Sequence, residues 1–122
     1  MSDINKKKHV LVVDDQPKVL RFIEIDLKLR GFEVIPTTSG QEALDFFKSA
    51  KPDIMLLDII MPEIDGFEVL KELRTFTDLP VIVFSASPGN HETALRLGAN
   101  DFMPKPFHAD EMVSRIKKLV RD

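Results

Sequence analysis

Short aliphatic runs alternate with stretches of helical periodicity along the whole chain, and this alternation constrains the fold more than any other feature of the sequence. Residues 10–13, 54–57 and 81–84 are continuous apolar runs of strand length. Runs without a polar face belong to strands covered on both sides, as in a parallel sheet flanked by helices. Between them, Pro17 stands where a helix can begin, and Val19, Leu20, Ile23 and Leu27 recur at helical spacing until Gly31. Residues 32–36 form a short second strand. Ser39-Gly40-Gln41-Glu42 then has the form of a capping box ahead of Ala43, Leu44 and Phe47. Phe67, Leu70 and Leu73 mark a third helix, a weaker fourth spans 92–97 up to Gly98, a brief strand lies near Phe102 and Met103, and Met112, Val113, Ile116 and Leu119 pattern the last helix. The expected class is α/β, a doubly wound five-stranded parallel sheet with helices on both faces.

Length and composition narrow the possibilities. The 122 residues suffice for one core, so a single domain over 1–122 with a polar tail at 1–8 is expected. With 43% hydrophobic and 30% charged residues the chain reads as globular. No apolar run approaches the roughly 20 residues that span a bilayer, and the lysine-bearing start lacks the body of a signal peptide, so no membrane segment and a cytoplasmic location are expected. The absence of cysteine rules out thiol chemistry, disulfides and thiolate metal sites. A formal net charge of -3 offers no basic footprint for direct nucleic-acid binding, although 6–8 and 117–121 carry local positive charge, which reads as a solvated tail and a helix C-terminus.

In open α/β sheets ligands bind beyond the carboxyl ends of the strands, so the residues there carry most information. The first strand ends in Asp14-Asp15, the third in Asp58, the fourth in Ser85 and the fifth in Lys105. Most turn aspartates only cap helices or face water, and Ser85 and Ser87 have the ordinary reading of N-caps. Asp58, however, closes an apolar strand, where a solvated acid is out of place. Three gathered carboxylates repel one another unless a cation neutralises them. Oxygen-only ligands suit Mg²⁺, with Mn²⁺ as a substitute, and Mg²⁺ characteristically joins one or two carboxylates to a phosphate. An aspartate so supported can act as a nucleophile toward phosphorus. His9, His91 and His108 share no motif and read as structural or solvent-facing.

The segments VLVVDDQP at 10–17, LLDIIMPEIDGFEVL at 56–70, VIVFSAS at 81–87 and GANDFMPKPF at 98–107, in that order and spacing, resemble the receiver domain of two-component response regulators over almost the whole chain. The resemblance implies the strand order 2-1-3-4-5. It implies that Asp58 accepts the phosphoryl group, and that Asp15, Asp58 and the backbone carbonyl of Ile60 bind Mg²⁺ directly, with Asp14 acting through water. Lys105 would pair with the phosphoryl oxygens and Ser85 would hydrogen-bond one of them. Phe102 falls at the switch aromatic, whose ring moves inward when Ser85 is drawn to the phosphate. Lys105-Pro106 matches a cis peptide that aims Lys105 at the site. Ile60 and Ser87 occupy the positions that tune phosphoryl lifetime. The implied partners are a sensor histidine kinase or phosphotransfer protein, and an output protein or an output domain outside these residues. The face of the fourth helix, fifth strand and fifth helix would change on phosphorylation. Asp101, Glu111 and Arg115 near it suit a monomer or a weak, phosphorylation-dependent two-fold dimer. Two other classes compete. An aspartyl-nucleophile phosphohydrolase resembles D-x-D-x-[TV] after the first strand, where this chain has Asp14-Asp15-Gln16-Pro17. A pseudo-receiver would ignore phosphate, against which the joint presence of Asp14, Asp15, Asp58, Ser85 and Lys105 argues.

Overall fold

The computed structural model describes residues 7–59 and 65–120. Five parallel strands, β1 (His9–Val13), β2 (Glu33–Thr37), β3 (Ile54–Asp58), β4 (Val81–Ser85) and β5 (Asp101–Pro104), lie in the order β2-β1-β3-β4-β5, as the resemblance implies. They alternate with helices α1 (Pro17–Leu29), α2 (Gly40–Phe46), α3 (Gly66–Leu73), α4 (His91–Arg96) and α5 (Ala109–Leu119), and a one-turn 3₁₀ helix, Pro88–Asn90, leads into α4.

Side-chain alternation along the strands divides the core in two. Val10, Val12, Ile54, Leu56, Ile82, Phe84 and Met103 face α1 and α5, where Leu20, Ile23 and Leu27 meet Met112, Val113 and Ile116. Leu11, Val13, Met55, Leu57, Val81, Val83 and Phe102 face the opposite layer with Ala43, Val69, Leu70, Leu73 and Ala94. Every residue of β3 and β4 is buried, which explains why those runs lack a polar face.

Local signals set the ends of the helices. Pro17 opens α1, and beyond its last turn Gly31 takes φ +96° while the Phe32 N–H donates to the Leu27 carbonyl at 3.0 Å. Ser39 caps α2 by accepting from the Glu42 N–H at 3.1 Å, but the capping box is only half formed. Glu42 instead accepts from the Thr37 hydroxyl at 2.7 Å, and the same hydroxyl accepts from the Ser39 N–H. Asp65 caps α3 through the Glu68 N–H at 3.0 Å. Neither Ser85 nor Ser87 is a side-chain N-cap: Ser85 is the last residue of β4, and Ser87 precedes the 3₁₀ turn without a side-chain cap bond. Strand and helix ends otherwise fall within a residue or two of those expected. Of the expected tail, Lys7 pairs with Glu33 at 3.8 Å, and the Lys8 carbonyl accepts from the Glu33 N–H at 2.9 Å.

At the sheet end remote from the strand carboxyl termini, Arg74 ties three segments together. Its guanidinium donates to the carbonyls of Gly98 (3.0 and 2.8 Å), Leu79 (2.8 Å) and Thr77 (3.1 Å) and to Asn100 Oδ1 (3.2 Å). Gly98, at φ +112°, leaves room for this: a Cβ there would lie 2.9–3.2 Å from the Arg74 side chain. Burial lowers the Arg74 pKa from its ordinary value, with Asp78 opposing. Among the described residues no helix is long and apolar enough to cross a membrane.

Candidate functional site

The carboxyl ends of β1, β3, β4 and β5 meet in one place because the strands are parallel and in close register. Asp58 pairs with Phe84 across β3 and β4, so Ser85 stands one position beyond it on the neighbouring strand. The Lys105 N–H donates to the Ser85 carbonyl at 2.8 Å, which holds the segment after β5 against the end of β4.

Asp14 follows β1, fully buried, and Asp58 ends β3 at 3% exposure. Asp15 is half-buried beside them. One carboxylate oxygen from each of the three lies within 4.8 Å of the others. Buried acids this close require compensation, and Lys105 supplies part of it. The Lys105 ammonium sits 3.1 Å from Asp14 Oδ2 and 3.5 Å from Asp58 Oδ2, and 5.0 Å from the centre of the Phe84 ring. The second Asp14 oxygen accepts from the Gln16 N–H at 2.8 Å. One ammonium facing three carboxylates leaves a net negative, oxygen-lined cluster, a donor set that fits a small hard divalent cation. Ile60, expected to offer its carbonyl, lies outside the described residues.

Ser85 is fully buried, and its hydroxyl oxygen accepts from the Ser87 N–H and from Asn90 Nδ2, each at 3.1 Å. The Lys105-Pro106 bond is cis, as expected. Phe102, expected as the switch aromatic, is only 5% exposed, packed in the core layer of α2, α3 and α4 and stacked against His91 with ring centres 4.8 Å apart. His91 therefore covers the aromatic at the switch position, a contact without any motif in the sequence. Arg115 closes on Asp101 at 2.7 Å and Glu111 at 2.8 Å within the chain and donates to the Phe102 carbonyl at 3.0 Å. Burial works against the Arg115 charge, but the two acids outweigh it and raise its pKa. The three side chains thus pair with one another within the chain.

Beside the site, α1 exposes an apolar stripe at Phe22 (51%), Ile25 (51%) and Leu29 (82%). Phe22 also lines a groove of about 490 Å³ with Lys18, Val19, Ala86, Lys105, Pro106 and Phe107, so that the site's lysine borders the same groove.

Known proteins share this fold. The receiver domain of Francisella response regulator 1452 superposes with a TM-score of 0.89 at 34% identity, over 94% of this chain and 98% of that one. Response regulator TrrA from Thermotoga maritima, solved in complex with Mg²⁺-BeF, gives 0.85 at 34% identity over 92% and 98%. Among curated proteins, the probable transcriptional regulator ycf27 of Cyanophora paradoxa is 41% identical over 121 residues, 98% of this chain and 50% of that protein. The transcriptional regulatory protein KdpE of Mycobacterium tuberculosis is 40% identical over 114 residues, 92% and 50%. The chain spans about half the length of the curated relatives it matches. Since the response regulator receiver domain family also matches residues 10–117, this chain belongs to the phosphoacceptor receiver domains of two-component response regulators.

Proposed function

We propose that the chain works as one Mg²⁺-assisted phosphoacceptor switch in which Asp58 takes a phosphoryl group from a sensor histidine kinase or phosphotransfer protein. The observation that carries this reading is the buried cluster of Asp14, Asp15 and Asp58 with Lys105 reaching two of the acids. An Asp58 oxygen forms a bond to phosphorus as the bond to a donor histidine breaks, the electron pair leaving with the imidazole nitrogen. Lys105 is placed to offset negative charge on the phosphoryl oxygens, and Ser85 to donate to one of them. Asp14, Asp15 and Asp58, with the Ile60 carbonyl, would hold the ion; when bound it neutralises the acids and the incoming phosphoryl charge. The TrrA complex with Mg²⁺-BeF supports this transfer because that protein resembles the chain over nearly its full length.

The phosphodonor has an approach with suitable chemistry. Phe22 shares a groove with Lys105, Ile25 and Leu29 are exposed further along the same helix, and exposed apolar surface of this kind marks sites of protein association. Output follows from the added charge on Asp58, which redistributes hydrogen bonds at Ser85 and alters the surface of α4, β5 and α5 for a partner protein or an output domain.

Intact-mass measurement after acetyl phosphate treatment tests the reading without the cognate kinase. One phosphoryl group is expected, dependent on Mg²⁺ and lost in Asp58→Asn. Equal incorporation into the substituted protein refutes the assignment.

A further inference from the structure

We propose that Asn90 is a positioning residue that fixes Ser85 as a hydrogen-bond donor toward the phosphoryl group and joins the same hydroxyl to the start of α4. The inference rests on the reading of Asp58 as phosphoacceptor and adds a residue to it. A serine hydroxyl has one proton to give and two lone pairs to receive. Both lone pairs of Ser85 are engaged, one by the Ser87 N–H and one by Asn90 Nδ2, each at 3.1 Å. The hydroxyl is fully buried, so water does not compete for these places. What remains is its proton, and the phosphoryl oxygens expected one register position away on β3 only accept. The two donors also polarise the O–H bond, because chains of hydrogen bonds strengthen one another in a poorly solvated setting. Without the Asn90 amide one lone pair is free, and the hydroxyl can rotate to other partners.

The position of Asn90 gives the bond a second consequence. It ends the 3₁₀ turn Pro88–Asn90 and is the residue before α4, yet its side chain makes no cap bond to that helix. Its amide is spent on Ser85, so any displacement of the hydroxyl toward Asp58 pulls on the first turn of α4. Phe102 is buried and stacked against His91, and a relay through Asn90 runs from Ser85 to α4 without passing through that ring.

The test is the affinity of beryllofluoride in the presence of Mg²⁺, measured by calorimetry on the whole chain. The proteins compared are wild type, Ser85→Ala, Asn90→Ala, Asn90→Leu, the two double variants and Asp58→Asn, each with its thermal midpoint. Asn90→Ala and Asn90→Leu are each expected to weaken binding about three- to tenfold, the size of one net hydrogen bond. Leucine keeps the bulk and lacks the donor, so the two should agree. In the Ser85→Ala background neither substitution should matter, because Asn90 acts only through that hydroxyl. Amide protection gained by residues 91–96 on beryllofluoride binding should be lost in Asn90→Ala and kept around Asp14 and Asp15. Undiminished affinity in Asn90→Leu, or an equal loss with and without the Ser85 hydroxyl, overturns the proposal while leaving the phosphoacceptor reading intact. If wild type and Asp58→Asn bind the probe alike, the phosphoacceptor reading fails and this proposal with it.

Discussion

Replacing Asp15 with asparagine should make the metal-free protein more stable, although it removes a residue of the site. The oxygens of Asp14, Asp15 and Asp58 lie within 4.8 Å of one another. Two unit charges at that separation repel by about 0.9 kcal/mol in water and about 3.5 kcal/mol at an effective dielectric constant near 20. Asp15 is half-buried and faces two such neighbours, while the Lys105 ammonium lies within 4 Å of Asp14 and Asp58. The amide keeps the shape and removes both repulsions. After discounting for partial solvent screening and the loss of longer-range attraction to Lys105, a gain of about 1–2 kcal/mol is expected. For a chain of this size that raises the melting temperature by about 4–8 °C. Thermal unfolding in chelator, followed by far-ultraviolet circular dichroism, measures it. Mg²⁺ at ten times its dissociation constant should then stabilise the wild type by about 1.4 kcal/mol and the variant by clearly less, because one ligand is missing. An Asp15→Asn protein that melts at or below the wild type in chelator would refute the argument from crowded charge. An undiminished Mg²⁺ shift would remove Asp15 from the ligand set.

Lys105→Ala should have the opposite sign, losing about 2–3 kcal/mol in chelator because Asp14 and Asp58 stay buried without their cation; urea titration beside Asp15→Asn shows whether the signs differ. Gly66→Ala should cost about 2 kcal/mol or more. A helical alanine normally gains about 1 kcal/mol over glycine, but a Cβ here would lie 2.6 Å from Ile59 Cα and against the Asp58 carbonyl, backbone that cannot step aside cheaply. Equal or greater urea resistance would contradict that. Arg74→Ala should cost about 2–4 kcal/mol and speed amide exchange at 98–100, because the carbonyls of Gly98, Leu79 and Thr77 lose a charged donor. Arg74→Lys should recover less than half, since an ammonium cannot reproduce the fork.

The architecture was legible because β3 and β4 are buried on both faces and so have to be spelled as unbroken apolar runs, and because Pro17, Gly31 and Ser39 act through local backbone chemistry. The candidate site was legible for a related reason. Parallel strands put their last residues at one edge, so Asp14, Asp58, Ser85 and Lys105 could be gathered from their positions alone. Contacts made by side chains across space left no comparable trace. Nothing in the sequence distinguishes Arg74 from any other arginine near a helix end; its role follows from the carbonyls that β4 and the loop before β5 bring to it. Asn90 looks like a turn residue, and only the fold aims its amide at Ser85. The half-formed capping box at Ser39 shows the same limit, because Thr37 competes for Glu42 from the preceding strand. Phe102 occupies the expected position, but its degree of burial depends on His91, eleven residues earlier in the chain.

Helix α4 is held at both extremities and by little between them: Asn90 binds Ser85 ahead of it, Arg74 grips Gly98 and Asn100 behind it, and Ala94 is its only buried residue. Glu92, Leu95 and Arg96 face outward and belong to neither attachment. Under the proposed relay, the residues that would carry the signal and those that would meet a partner are therefore different ones, and substitutions at the three outward positions should alter partner choice while leaving beryllofluoride affinity unchanged.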